Sequence, residues 1–219
     1  TLMRSSAASD VYKRQIASNA SGEWYCEYGQ VQFAASGLVK SENDAFDGWY
    51  YVRNGCVQKG QETVVQNSSG WWYIGTDGKV DFHKNTVAPN EYGWWAVRNG
   101  AVDFQLNGIA SNESGDWYCR GGQVDFGAAG VLESETEGFS GWYYIQNGCV
   151  QKGQETVKQN SNGWWYIGTD GKVDFGFSGI ASNENGTWYI ENGKVNFNYS
   201  GTYEDENGRI YDIKSGNVA

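Results

Sequence analysis

The chain has 219 residues, of which 31 are Gly, 11 Trp and 15 Tyr, with four Leu (Leu2, Leu38, Leu106, Leu132) and a single Pro, Pro89. Its formal charge is −10 and its one histidine is His83. This composition excludes a Leu-rich helical bundle, because no stretch of good helix formers is free of Gly. No run of about 18 apolar residues exists to form a transmembrane helix. Mean hydropathy is −0.63, yet 16% aromatic content sets the chain apart from disordered sequences. One histidine leaves no basis for Ser–His–Asp, Cys–His or multi-histidine metal chemistry. An all-β, acidic, aromatic-rich protein that binds rather than catalyses is expected, with no catalytic residue, metal or cofactor.

The N-terminus, TLMRSSAASDVYKRQ, matches nothing that follows. Ser5–Gln15 resembles one reading frame of a transposase-type sequencing adapter, so residues 1–15 are expected to be a non-native, disordered segment outside the fold. The true start of the gene is expected to be missing. Without this segment the chain holds 13 basic and 25 acidic residues. That balance disfavours nucleic-acid phosphates and anionic lipid surfaces as partners.

From residue 16 onward a unit of the form Gly-x-aromatic-Tyr, a turn ending in Gly, then Val-x-Phe recurs nine times. Its leading glycines are Gly22, Gly48, Gly70, Gly93, Gly115, Gly141, Gly163, Gly186 and Gly208, spaced 26, 22, 23, 22 and again 26, 22, 23, 22. Four units span 93 residues, so Trp24 and Trp117, Cys26 and Cys119, and Cys56 and Cys149 are equivalent. The segments 58–82 and 151–175 differ only at Val65/Lys158 and Ser69/Asn162. The expected blocks are residues 16–108, 109–201 and a capping hairpin at 202–219. Asn54-Gly55, Asp77-Gly78, Asn99-Gly100, Asn147-Gly148, Asp170-Gly171 and Asn192-Gly193 suit tight turns with φ > 0 at both central residues. The predicted fold is a solenoid of about nine stacked hairpins, since one hairpin alone is marginal in water.

Counting from each leading glycine, position two is always large and apolar, and position four is Cys26, Val52, Ile74, Val97, Cys119, Ile145, Ile167 or Ile190, with Asp212 in the last unit. Strand alternation puts these on one core face, meeting residues such as Val102 and Phe104. Position one holds Glu23, Asp116, Thr187 and Arg209 but also Trp49, Trp71, Trp94, Trp142 and Trp164. A site that accepts charge is not obligately buried. On the same face position three is Tyr51, Tyr73, Tyr144 or Tyr166, with Ala96 beside Trp94. These Trp–Tyr patches suit cation–π capture of a quaternary ammonium or stacking on a sugar ring. The alternative is a structural spacer or adhesin stalk whose tryptophans only pack hairpin on hairpin.

Segments such as GWWYIGTDGKVDF and GTWYIENGKVNF resemble the aromatic cell-wall-binding repeats of Gram-positive surface proteins, the choline-binding and glucan-binding repeats, over Ile16–Ala219. The resemblance implies a left-handed solenoid with ligand cages between consecutive hairpins. It also implies a secreted or cell-surface module bound to wall or host glycan, or to a choline-substituted polymer, without membrane insertion and fused to a further domain. Choline-type repeats usually open the linker between hairpins with Gly-Trp. Here Gly37-Leu38, Gly108-Ile109, Gly130-Val131 and Gly179-Ile180 stand there, which favours a glycan slightly over choline.

In such an extracellular chain Cys26–Cys56 and Cys119–Cys149 are candidate disulfides, with buried free thiols as the alternative. No Cys-x-x-Cys metal or redox spacing occurs. Asp81, Asp103, Asp125 and Asp174 recur in equivalent units, the mark of outer-face residues rather than of a catalytic pair. His83 is expected in a surface loop.

Overall fold

The computed structural model describes residues 14–219, among which there is no α-helix. The chain divides into two compact units, one ending at Phe104 and the other running Gln105–Ala219. Each is a series of antiparallel hairpins. In the first, the paired arms are Arg14–Asn19 with Gly22–Glu27, Gly37–Ser41 with Gly48–Arg53, Thr63–Asn67 with Gly70–Ile74, and Thr86–Asn90 with Gly93–Arg98. In the second they are Gly108–Asn112 with Gly115–Arg120, Gly130–Thr136 with Phe139–Gln146, Thr156–Asn160 with Gly163–Ile167, Gly179–Asn183 with Gly186–Glu191, and Gly201–Glu204 with Ile210–Lys214. Arg14 and Gln15 pair with Glu27 and Cys26 and are strand rather than disordered chain. The rest of the adapter-like segment lies outside the described residues.

The first arm of every hairpin is therefore the segment before the leading glycine. The Val-x-Phe strand, expected as the second arm, is only two residues long, as in Ala101–Val102 and Lys194–Val195. It works as a stitch between hairpins. Val102 pairs with Val97 of its own hairpin and Ala101 with Trp72 of the one before; Val195 pairs with Ile190, and Lys194 with Trp165. The turns feeding these stitches are type I′ at Asn54, Asn99, Asn147 and Asn192, whose φ values lie between 48° and 51° and precede glycines at 74° to 76°. At Asp77-Gly78 and Asp170-Gly171 only the glycine has positive φ, 82° in both. There the Asp carboxylate accepts from the N–H of Lys79 or Lys172 (2.9 Å) and closes a wider turn.

Burial runs along most of the tryptophan strands, whereas it alternates in Gly48–Arg53 and Phe139–Gln146, where Tyr50, Val52, Tyr143 and Ile145 are buried and Tyr51 and Tyr144 half-buried. In Gly70–Ile74 and Gly163–Ile167 the glycine and positions one and two are half-buried, whereas positions three and four are buried. Ile74, Ile145, Ile167 and Ile190 are all fully buried. The first arms of neighbouring hairpins pack on one another, as Thr63–Asn67 does on Gly37–Ser41 and on Thr86–Asn90, and Thr156–Asn160 on Gly130–Thr136 and on Gly179–Asn183. Position four is thus core, as expected. Position two is core only where it is Tyr50 or Tyr143; Trp24, Trp72, Trp95, Trp117, Trp165 and Trp188 are half-buried. Phe104 does not join Val102 in the core and is 43% exposed.

Two further expectations are corrected. In the last hairpin Gly201 pairs with Ile213 and Tyr203 with Tyr211, where the preceding hairpin pairs Gly179 with Ile190 and Ala181 with Trp188. Buried Ile213, not Asp212, therefore holds position four. The wider turn closed by Asp205 and Arg209 shifts the frame by one residue, which exchanges the two faces and leaves Ile210 exposed. Next, tolerance of charge at position one does not mean exposure, because Asp116 is buried. Its carboxylate accepts from Ser111 (2.5 Å) and pairs with Lys152, and the equivalent Glu23 pairs with Lys59.

All four cysteines are free thiols, the alternative to the candidate disulfides, with Cys26 and Cys119 buried and Cys56 and Cys149 half-buried. Cys56 lies opposite Trp24, and the place opposite Cys26 is taken by Val31; Cys149 and Val124 repeat this against Trp117 and Cys119. Each cysteine pair is thereby diagonal, with Cα atoms about 7–8 Å apart, beyond the reach of a disulfide. Burial pushes the Cys119 thiol up to about 12. Four thiols will react per chain in denaturant without reductant, with Cys119 the slowest in the native protein; a count of two or none would restore the disulfides.

Candidate functional site

The outer ends of the hairpins carry walls of aromatic rings. Trp71, at position one of its hairpin, meets Trp95, at position two of the next, with centroids 5.2 Å apart and planes at 48°. Phe104 closes the third side, 6.0 Å from Trp71 at 87° and 5.6 Å from Trp95 at 68°. Tyr92 stands edge-on to Trp71 at 6.1 Å. The second unit repeats the box: Trp164 and Trp188 are 5.1 Å apart at 53°, and Phe197 lies 6.1 Å and 5.8 Å from them. A further cage forms one hairpin earlier. Trp142, Trp165 and Phe175 line a mostly apolar pocket of about 230 Å³, with Trp165 and Phe175 edge-to-face at 5.5 Å. Its equivalent in the first unit is Trp49, Trp72 and Phe82, where Trp72 and Phe82 are 5.4 Å apart and Trp49 is 36% exposed.

The walls are held by a lock that the sequence reading missed. Asn Oδ1, five residues before each position-two tryptophan, accepts from its indole Nε1 at 2.9–3.3 Å in all six hairpins that have one. The same oxygen accepts a backbone N–H of the two-residue turn, as in Asn67 to Ser69 and Asn183 to Asn185. Asn183 also donates to the Val157 carbonyl of the neighbouring hairpin (2.9 Å). Where position two is Tyr, at Tyr50 and Tyr143, this Asn is absent and the connection is longer. Phe46 or Phe139 then packs edge-on to the tyrosine. Buried Ser41 or Ser134 instead accepts from the N–H of Ile16 or Ile109.

Of the nine sequence-predicted ligand residues, Trp71, Trp142 and Trp164 take part in these cages, and Trp49 is the sequence equivalent of Trp142. Trp94 is half-buried opposite Pro89. The tyrosines do not share the cages. Tyr73 and Tyr166 are buried in the core, and burial with hydrogen bonds to Glu62 and Glu155 raises both phenols, Tyr166 to about 12. Tyr51 lines a groove of about 390 Å³ together with Trp71 and Tyr92, beside Arg53 and Gln66, and Tyr144 lines a more polar one of about 480 Å³ beside Lys158 and Glu184. The partners missed were Trp72, Trp95, Trp165 and Trp188 with Phe82, Phe104, Phe175 and Phe197. Of the aliphatic residues that had counted against choline, Val131 does line the Trp142–Trp165–Phe175 pocket, whereas Ile109 is buried in the core. The repeated aspartates serve the loop after each Phe: Asp81, Asp125 and Asp174 accept the N–H two residues on. His83 is exposed. Among the described residues no His/Cys/Asp/Glu cluster could hold a metal ion, and no helix is long and apolar enough to cross a membrane.

Stitched hairpins with three-ring boxes at their outer ends define an aromatic-repeat binding module. The choline-binding repeat matches residues 36–58, 62–81, 84–103, 107–125, 140–151 and 176–196, more than half of the chain, which belongs to that family. No curated protein matches it. Among solved structures it is similar to CbpJ from Streptococcus pneumoniae, at 17% identity over 93% of this chain and 73% of that one, with a TM-score of 0.36. Choline binding protein F of the same organism is 13% identical over 94% and 93%, with a TM-score of 0.26. Alternansucrase in complex with isomaltononaose is 15% identical over 94% of this chain but only 16% of its own, with a TM-score of 0.42.

Proposed function

We propose that the chain is a non-catalytic cell-surface module that holds choline-substituted wall polymer in the cages Trp71–Trp95–Phe104 and Trp164–Trp188–Phe197. The carrying observation is the steep angle between the rings, 48° to 87°. A sugar stacks on a flat platform, whereas a compact trimethylammonium group needs faces on several sides. Each face contributes about 0.5–2 kcal/mol, more as water is excluded. The indole N–H groups of Trp95 and Trp188 are already occupied by Asn90 and Asn183, so these walls offer faces rather than donors, which suits a cation that cannot accept a hydrogen bond. The net negative charge favours the same ligand over long range. Several cages on one chain add avidity toward a polymer that repeats its substituent.

Calorimetric titration of the chain with choline, with its uncharged isostere 3,3-dimethylbutan-1-ol, and with isomaltotriose tests this reading. Choline will saturate and the isostere will bind at least about tenfold more weakly, the equivalent of 1.4 kcal/mol. Saturation by the oligosaccharide alone would move the assignment to a glycan. No uptake of any of the three would leave a packed stalk.

A further inference from the structure

The two halves of the chain differ where a single side chain meets a cage. Lys194, on the two-residue stitch, pairs with Trp165, and its ammonium lies 5.0 Å from that ring's centroid. Its side chain passes across Gly163, where a Cβ would come within 3.0 Å of Nζ. The same residue lines the pocket formed by Trp142, Trp165 and Phe175. Among the described residues no carboxylate lies within ion-pair distance of Lys194. The equivalent residue in the first unit is Ala101, opposite Trp72.

The cage frames are otherwise alike. Trp72–Phe82 and Trp165–Phe175 meet at 5.4 Å and 73°, and at 5.5 Å and 75°. The carbonyls of Trp49 and Trp142 accept from Val80 and Val173 at 2.9 and 2.8 Å. Lysines in the equivalent place over position-two tyrosines, Lys79 on Tyr50 and Lys172 on Tyr143, occur in both halves at 5.8 and 5.7 Å. Besides 101 and 194, the lining parts at Leu38/Val131 and Ser69/Asn162, and neither of these pairs brings a cation to the cage.

Resting on the cation-binding function above, we propose that Lys194 is a built-in ammonium occupant that closes the Trp142–Trp165–Phe175 cage to quaternary ammonium ligands, while Ala101 leaves the Trp49–Trp72–Phe82 cage open. A tethered cation competes at an effective concentration of about millimolar or more. Its charge repels a second cation drawn to the same ring, at several ångströms' separation. The duplicated halves then carry unequal numbers of sites, and residue 194 sets which cages admit choline.

Choline stoichiometry by calorimetry on the whole chain tests this. Lys194→Ala will take up one further equivalent of choline, and Ala101→Lys one fewer than the unaltered chain. Lys194→Met, which keeps the side-chain length, will match Lys194→Ala and serves if the shorter residue unsettles the fold. Uptake by the unaltered chain with a stoichiometry unchanged in all three variants overturns the role of Lys194 alone. No choline uptake by any of the four proteins overturns the cation-binding function and this proposal with it.

Discussion

Leucine at both Trp71 and Trp164 will weaken choline binding at their two cages by about five- to thirtyfold while leaving the chain folded. Each of these indoles faces two other rings of its box, Trp95 and Phe104 in one case and Trp188 and Phe197 in the other. Leucine retains apolar bulk at a half-buried position but has no ring quadrupole to attract a cation. The loss of one face, about 1–2 kcal/mol per cage, corresponds to that range. Both substitutions are needed because the duplicate cage would otherwise mask the first. Calorimetry with choline reads the affinity, and cooperative urea unfolding with an unchanged slope shows that the fold persists. Undiminished choline affinity in the doubly substituted protein would mean that these boxes are packing and nothing more.

Alanine at Gly193 will destabilise the second unit by about 2–5 kcal/mol, far more than alanine at Gly153. Both glycines have positive φ, 76° and 90°, so both substitutions carry the backbone strain of that region. They differ in surroundings. A Cβ at Gly153 meets nothing within 4 Å, whereas at Gly193 it lies 2.7 Å from Phe175 Cα and runs into the Asp174 carbonyl oxygen. Gly193 is also plugged into the preceding hairpin, its carbonyl accepting from Tyr166 and its N–H donating to Phe177. Relief of the clash must push away the backbone that carries the Phe175 wall. Urea denaturation of the two single variants measures the gap; equal costs would show that the turn has room to shift and that close approach is not what holds the hairpins together.

Much of this architecture is written in the spacing of residues. The 93-residue duplication, the glycine that opens each second arm and the Asn-Gly turns all follow from chain order, because φ > 0 at two successive positions leaves few residue types to choose from. The cages were less legible. Period-two alternation assumes a sheet with one wet face; it holds in Gly48–Arg53 and Phe139–Gln146, but in Gly70–Ile74 and Gly163–Ile167 both faces are covered at the inner end and partly open at the other. Alternation therefore places Trp72 and Trp165 in the core and Tyr73 and Tyr166 on the open face, whereas the tryptophans are half-buried and the tyrosines buried. One clue was present: Asn67, Asn90, Asn160 and Asn183 each precede a position-two tryptophan by five residues, while Tyr50 and Tyr143 have Ala45 and Gly138 in that place. The position of Cys56 opposite Trp24 rather than Cys26 depends on how one hairpin is stitched to the last, a pairing that no local pattern encodes. In the last hairpin the wider turn moved the frame by one residue, a shift that glycine spacing alone cannot register.

The constancy of the buried interior beside connections of unequal length has an architectural consequence. Six residues separate Ser41 from Gly48 and Ser134 from Gly141, against two between Asn67 and Gly70 or Asn160 and Gly163, and the interior beneath them keeps the same fully buried Val52, Ile74, Ile145 and Ile167. Added length at the rim costs only the slowly growing entropy of loop closure. The chain can therefore be decorated at its margins without renegotiating its centre, and the loop around Glu137 and Gly138, exposed on both residues, is a ready-made splice point for a foreign peptide. A scaffold of this kind separates the part that must stay constant from the part free to diversify.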